Sequence, residues 1–223
     1  MLLALDTSTR TIGIALYDGE QVLSEAVWTS LDHHTVELAP AVAQILAKSG
    51  VGVADLRAVA VAIGPGSFTG LRIGLALAKG MALVRHIQLV GIPTLDALAA
   101  AQPVHAAALA AILRAGRGRL AVGWYKVSEE ETWQPSNQIE VLTTQELFQR
   151  IQGPTLVCGE LSEADRRLLA RKRKNAILAS PAQSLRRPAF LAELGWKRWQ
   201  AGQIDDPATL APVYLHYHEP IPG

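Results

Sequence analysis

The sequence predicts an α/β fold in which mixed sheets are flanked by helices. Three observations predict it. Three short apolar runs follow one another at the start, with an Asp-Gly pair between the second and third. After them, strand-like and helix-like stretches alternate. With 49% hydrophobic and 18% charged residues, the 223-residue chain can also bury a sizeable core, as one large domain or two small ones.

The runs are LLALD (2–6), TIGIALY (11–17) and QVLSEAVW (21–28), and Asp18-Gly19 marks a hairpin between the last two. Residues 35–48 place Leu38, Val42, Ile45 and Leu46 at helical spacing. Pro40 fits that helix if it starts near Val36 or kinks at the proline. RAVAVAI (57–63) reads as a strand, and a glycine-rich loop leads from it into a helix over about 70–85. QLVGI (88–92) is a short strand, and TLDALAAA (94–101) a short helix opened by Thr94 as its cap. A three-stranded meander followed by helix–strand crossovers makes a mixed sheet, the order of a ribonuclease-H-like half-domain.

In the second half, AALAAIL (107–113) and LAVGWYKV (120–127) read as strands around the turn AGRG, with EEETW and PSN as exposed loop. Then come a helix at 144–151, a strand at TLVCG, a helix at 163–174, a strand at NAILA and a helix at 188–202. No internal repeat stands out. The boundary is placed near Gln102-Pro103, giving a first lobe of 1–102 and a smaller, divergent lobe of 103–223. The last helix is a candidate to pack back on the first lobe.

Composition excludes several classes. The formal net charge of +1 names no partner. A single cysteine, Cys158, rules out an intrachain disulfide and a cysteine-based zinc site, and its apolar setting reads as core rather than reactive thiol. MLLALD reaches an acid at residue 6 and has no basic leader, so it reads as a buried strand rather than a signal peptide. The longest apolar stretch, 97–113, contains Pro103 and His105. A cytoplasmic protein with no membrane span is expected.

GPGSFTGL (64–71) raises the chemical question. The spacing Gly64, Gly66, Gly70 does not match a dinucleotide fingerprint, and no Lys-Ser/Thr pair follows Gly70 as a Walker A motif needs. Pro65 sits two before Ser67, so the nucleophile elbow fails as well. Two readings remain: a tight turn whose hydroxyls cap the helix, or a helix N-terminus that binds phosphate. Within the helix, Gly70, Gly74 and Ala78 share one face, beside a stripe of Ile73, Leu77 and Met81. Glycine inside a helix costs about 1 kcal/mol relative to alanine, so a close neighbour is expected, either its own sheet or another chain.

ALDTSTRTIGIALYDG, GPGSFTGLRIG, GIPTLDALA and APVYLH resemble the TsaB (YeaZ) family, the dimerization subunit of the bacterial tRNA threonylcarbamoyladenosine synthase. The resemblance is strong over 1–102 and 211–216. It implies the actin-like, two-lobed ASKHA fold, related to M22-like peptidases. It further implies a subunit that is not itself the transferase, serving modification of the adenosine beside the anticodon. The partners it implies are a TsaD-type catalytic subunit, a TsaE-type ATPase, tRNA through the complex, and a second copy of the chain. No cofactor is assigned to this chain, and ATP or ADP belongs to the assembled complex.

Candidate nucleotide or phosphate contacts are Asp6, Thr7 and Ser8 with Gly64, Gly66, Ser67, Thr69 and Gly70. Candidate partner-facing residues are Leu38, Val42, Ile45, Leu46, Gly70, Ile73, Gly74, Leu77, Ala78 and Met81. TsaD-type proteins hold a metal with H-x-x-x-H. Here Glu37 stands four after His33 and Leu38 four after His34, so no metal is assigned and the histidines read as a solvated helix start. The family's second-lobe Asp-Ala-Arg…Gly-Glu-Val-Tyr stretch is altered, with Arg114, Gly116, Arg119 and Ala121 in place of its Asp, Arg, Glu and Tyr, and the closing motif ends in His216.

Residues 166–198 hold ten Lys or Arg and one acid, Glu193. Arg171, Lys172, Arg173 and Lys174 are therefore candidates for tRNA proximity, against a solvated face. The rivals to a scaffold are a self-sufficient ASKHA phosphotransferase, an M22-like metallopeptidase and a free-standing RNA-binding module.

Overall fold

The structure is a computed structural model that describes residues 1–30, 33–104 and 107–215. The first sheet contains β1 (Leu2–Asp6), β2 (Thr11–Tyr17), β3 (Val22–Thr29), β4 (Ala58–Gly64) and β5 (Gln88–Pro93), in the order β3-β2-β1-β4-β5. β1 to β3 form the antiparallel meander, and β4 and β5 add in parallel beside β1. Asp18 shapes the hairpin turn by accepting the N–H groups of Glu20 and Gln21, both at 2.8 Å.

The second sheet contains β6 (Ala108–Arg114), β7 (Leu120–Val127), β8 (Trp133–Pro135), β9 (Glu140–Leu142), β10 (Thr155–Gly159) and β11 (Ala176–Leu178). Its order is β11-β10-β6-β7-β8, with β9 also paired to β7. Strand directions repeat those of the first sheet: β6 pairs antiparallel with β7, and β10 and β11 run parallel with β6. The helices repeat too. α1 (His34–Lys48), α2 (Phe68–Arg85) and α3 (Thr94–Ala100) follow β3, β4 and β5, whereas α4 (Thr144–Arg150), α5 (Glu163–Leu169) and α6 (Pro188–Gln200) follow β9, β10 and β11. The chain is thus a structural duplication that its residues do not announce.

Side-chain size sorts the two faces of the first sheet. In β4, Val59 and Val61 point to one face and Ala58, Ala60 and Ala62 to the other. The large face joins Leu3, Leu5, Ile12, Ile14 and Leu16 beneath α1 and α2. The alanine face lets α6 come close: a Cβ at Gly195 would lie 2.4 Å from Ala60 Cβ. α3 lies between the sheets, with Ala97 on the first and Leu95 and Leu98 on the second. α4 and α5 cover the outer face of the second sheet through Leu147 and Leu169.

Several expectations are corrected. α1 starts at His34 and runs through Pro40. The proline is exposed, so the carbonyl it leaves without a helical donor can meet water. Thr94 is not a cap, because Pro93 holds that position and the Thr94 hydroxyl accepts the Gly64 N–H at 3.1 Å. Trp133 and Pro135 belong to β8 rather than a loop, and β9 was not foreseen. α5 ends at Leu169 and a 3-10 turn follows at Ala170–Lys172. Among the described residues no helix is long and apolar enough to cross a membrane.

The small-residue row of α2 faces inward. Gly70, Gly74 and Ala78 are buried, and added Cβ atoms would meet Thr7 O at 2.2 Å from Gly70 and Thr7 Oγ1 at 2.3 Å from Gly74. Their close neighbour is the chain's own turn after β1. Leu38, Val42, Ile45 and Leu46 are likewise core residues, exposed by 2%, 6%, 6% and 4%. These seven are therefore not available to a partner. Gly74→Leu is expected to destabilise the isolated chain by about 1–3 kcal/mol or more, the usual cost of overpacking. A urea midpoint equal to wild type would show that α2 can shift away from Thr7.

Candidate functional site

The carboxyl ends of both sheets open onto a cleft of about 1610 Å³. Strand ends of this kind are where open α/β sheets hold ligands. Thr9 and Arg10 line it from the first lobe, with Pro65 to Gly70 of the glycine loop, and Arg114 to Gly116 and Gly159 to Ser162 face them from the second. The duplicated topology makes the loop after β1 the counterpart of the loop after β6. One strand ends in Asp6 and the other in Arg114.

The glycines of the first loop serve the chain's own backbone. A Cβ at Gly66 would lie 2.2 Å from the Ser8 carbonyl oxygen, and Gly64 has φ +114° with Val213 O 2.4 Å from its would-be Cβ. The Ser67 N–H donates to Ser8 O at 2.6 Å, and Ser67 Oγ caps α2 by accepting the Gly70 N–H at 3.2 Å. Thr7 Oγ1 donates to Gly70 O at 2.7 Å. Gly64, Ser67 and Gly70 N–H groups are thus committed internally. Thr69 is exposed on the first turn and lines the cleft.

Asp6 is committed as well. Its Oδ1 accepts the Ser8 N–H at 2.8 Å and the Ser8 hydroxyl at 2.5 Å. Its Oδ2 accepts Arg186 Nε–H at 2.9 Å. Arg186 also donates to Glu160 Oε1 at 2.8 Å and to Thr9 Oγ1 at 2.6 Å. Burial alone would lower the Arg186 pKa, but Asp6 and Glu160 outweigh it and hold the guanidinium charged. The sequence reading missed Arg186, which is joined to Asp6 across 180 residues.

Two sequence motifs meet at the cleft mouth. The Phe68 and Tyr214 rings lie 5.1 Å apart, the Arg72 guanidinium sits 3.6 Å over Phe68, and Arg72 Nε–H donates to Tyr214 Oη at 3.0 Å. His216, at the end of the closing motif, lies outside the described residues. At the start of α1, His34 is buried, not solvated, with Nε2 2.8 Å from Thr9 O. Trp28 Nε1–H donates to Glu37 at 2.8 Å, which lowers the Glu37 pKa. Of the two histidines, His34 is thus turned to the Thr9 carbonyl, while Glu37 is held by Trp28. Among the described residues no three His, Cys, Asp or Glu come together to hold a metal.

Half of the ten cations of the basic segment are bonded into the fold. Besides Arg186, Arg166 donates to Ala179 O at 2.8 Å, Arg187 pairs with Glu25, Arg198 binds Gly91 O, and Lys172 Nζ donates to Ile151 O at 2.6 Å. Lys172 closes the end of α4 and leaves the nucleic-acid candidates, while Arg171, Arg173 and Lys174 stand exposed. Cys158 is buried, and burial pushes its thiol up to about 12, which keeps it unreactive at neutral pH. Between the lobes Tyr125 Oη–H donates to Asp96 Oδ1 at 2.7 Å, and burial raises the Asp96 pKa despite that bond.

The two duplicated lobes and the cleft between their strand ends define an actin-like protein of the ASKHA class. A hexokinase of the ROK type from Thermus thermophilus shares this fold, with a TM-score of 0.51 at 12% identity over 90% of this chain and 99% of its own. A family model for TsaD, described as tRNA N6-adenosine threonylcarbamoyltransferase, matches residues 21–178. The tRNA threonylcarbamoyladenosine biosynthesis protein TsaB of Bacillus subtilis is 30% identical over 221 residues, covering 98% of this chain and 95% of that protein. YeaZ from Pseudomonas aeruginosa superposes with a TM-score of 0.76 at 25% identity, over 96% of this chain and 99% of its own. The chain belongs to the TsaB (YeaZ) family.

Proposed function

We propose that this chain is the non-catalytic pairing subunit of a cytoplasmic tRNA threonylcarbamoyladenosine synthase. It supports a TsaD-type catalytic partner, joined by a TsaE-type ATPase, in modifying the adenosine beside the anticodon. We read it as two lobes, 1–102 and 103–223, with α6 returning to the first. ATP or ADP is assigned to the assembled complex, where Thr69 at the cleft is the loop residue best placed to meet a phosphate.

The observation that carries this reading is the outward face of α1 and α2. Val36, Pro40, Ala43 and Ala47 are exposed along α1 at spacings of four, three and four. Ile73, Leu77, Gly80 and Val84 repeat that spacing on α2; Ile73 and Leu77 are half-buried against the core, whereas Gly80 is exposed and Leu83 and Val84 are 62% and 78% exposed. Met81 is partly buried beside them. A Cβ at Gly80 would meet nothing within 4 Å, so no neighbour among the described residues explains a glycine that costs the helix about 1 kcal/mol. A helix arriving from outside does explain it. A partner with the same fold can present matching helices, and a second copy can take that place when the partner is absent. The enzyme reading is weaker because Asp6 and three loop N–H groups are already bonded within the chain.

Gly80→Arg adds its side chain in open space, so circular dichroism should match wild type. Affinity for the TsaD-type partner should fall tenfold or more, about 1.4 kcal/mol or more, self-association should be lost, and reconstituted modification should fall with it. Undiminished affinity would move the interface off α2.

The exposed Arg171, Arg173 and Lys174 are the residues we assign to tRNA proximity. Changing all three to Glu should weaken tRNA binding by the assembled complex at low salt, with a smaller loss at high salt where counterions already screen the attraction. Equal binding at low salt would return them to an ordinary solvated surface.

A further inference from the structure

A metal-bound nucleotide at the end of β1 would need Asp6 as an oxygen ligand, and the residues present do not fit that group. We infer that Arg186 is a built-in cation that stands where a divalent ion would otherwise join the two lobes, so that the cleft floor is set by the chain itself and refuses free divalent metal.

The geometry gives three reasons. First, the partners are those a hard cation would choose: a carboxylate from each lobe and a hydroxyl. Arg186 reaches Asp6 Oδ2 at 2.9 Å, Glu160 Oε1 at 2.8 Å and Thr9 Oγ1 at 2.6 Å. Second, these partners stand at carboxyl ends of strands in different sheets. Asp6 closes β1 and Glu160 follows β10, so one guanidinium spans both lobes. Third, the group is sealed: the Arg186 and Asp6 side chains are each 4% exposed. An ion could reach Asp6 only by displacing a buried guanidinium that also contributes two further bonds. The remaining oxygens are taken as well, Asp6 Oδ1 by Ser8 and Glu160 Oε2 by the Arg114 N–H at 3.1 Å.

Removing the guanidinium would leave the buried Asp6 carboxylate without its counter-charge, with Glu160 at the edge of the same gap and 26% exposed to the cleft, an arrangement that either protonates or recruits a cation. The test uses the full chain with Mn²⁺ as probe, reading free Mn²⁺ by electron paramagnetic resonance and melting by fluorescence. Wild type should leave the Mn²⁺ signal and its own Tm unchanged. Arg186→Ala should melt several degrees lower, bind one Mn²⁺ per chain, and regain Tm with Mg²⁺ but not with NaCl of equal ionic strength. Adding Asp6→Asn to that variant should abolish the Mn²⁺ binding. Arg186→Gln, which keeps most of the volume, carries the same readout should the alanine variant fail to fold. Wild type binding Mn²⁺ in a manner lost in Asp6→Asn would overturn the inference. So would a folded Arg186 variant that binds none.

Discussion

One buried guanidinium holds the two halves of this molecule in register. Arg186 lies 180 residues from Asp6 and 26 from Glu160, and it bonds both at under 3 Å. Burying the Arg186 and Asp6 charges costs several kcal/mol per ion unless each finds its partners, and the half-buried Glu160 supplies a second carboxylate. Here every carboxylate oxygen of Asp6 and Glu160 has a donor. The consequence is positional. The cleft of an actin-like fold is ordinarily where a ligand joins the lobes, and in this chain a side chain already joins them.

The same economy governs the glycine loop. A strand-to-helix turn rich in glycine can expose N–H groups to an anion, or it can let two backbones touch. The Ser8 carbonyl beside Gly66 and the Thr7 carbonyl beside Gly70 show the second use. With the loop, Asp6 and half of the basic segment absorbed into the fold, what is left over lies on the outside. Two neighbouring helices carry small and apolar residues at the same spacing, exposed along α1 and at the end of α2, and α2 carries a glycine that no neighbour among the described residues requires. On the proposed reading as a pairing subunit, a surface of that kind matters more than a reactive centre.

Much of the first lobe was legible in its residues. AVAVA displays its two faces by size alone, and Asp18-Gly19 announces the hairpin. The motif GPGSFTGLR and the tail APVYLH pointed to the family, and the structure brings Phe68, Arg72 and Tyr214 from those two motifs into one stack. Helical spacing placed Gly70, Gly74 and Ala78 on one face, yet periodicity does not say which neighbour that face meets, and the answer was Thr7. Strands of three residues such as Trp133–Pro135 are too short to show alternation. The duplication of the fold and the reach of Arg186 to Asp6 are long-range facts that local pattern does not carry. Composition counts the charges of the basic segment without their partners, so it does not separate Lys172, bonded to Ile151, from the exposed Arg171, Arg173 and Lys174.

The central claim is that the outward helices, and not the cleft, are the working surface of this chain. Hydrogen exchange followed peptide by peptide tests it most directly, on the chain alone, with magnesium and ATP, and with the TsaD-type partner. The account predicts that the partner slows exchange across 34–48 and 68–85, and that magnesium and ATP without the partner leave 6–9, 64–67 and 159–162 unchanged. Protection of those cleft segments by magnesium and ATP alone, with the outward helices unaffected by the partner, would contradict it.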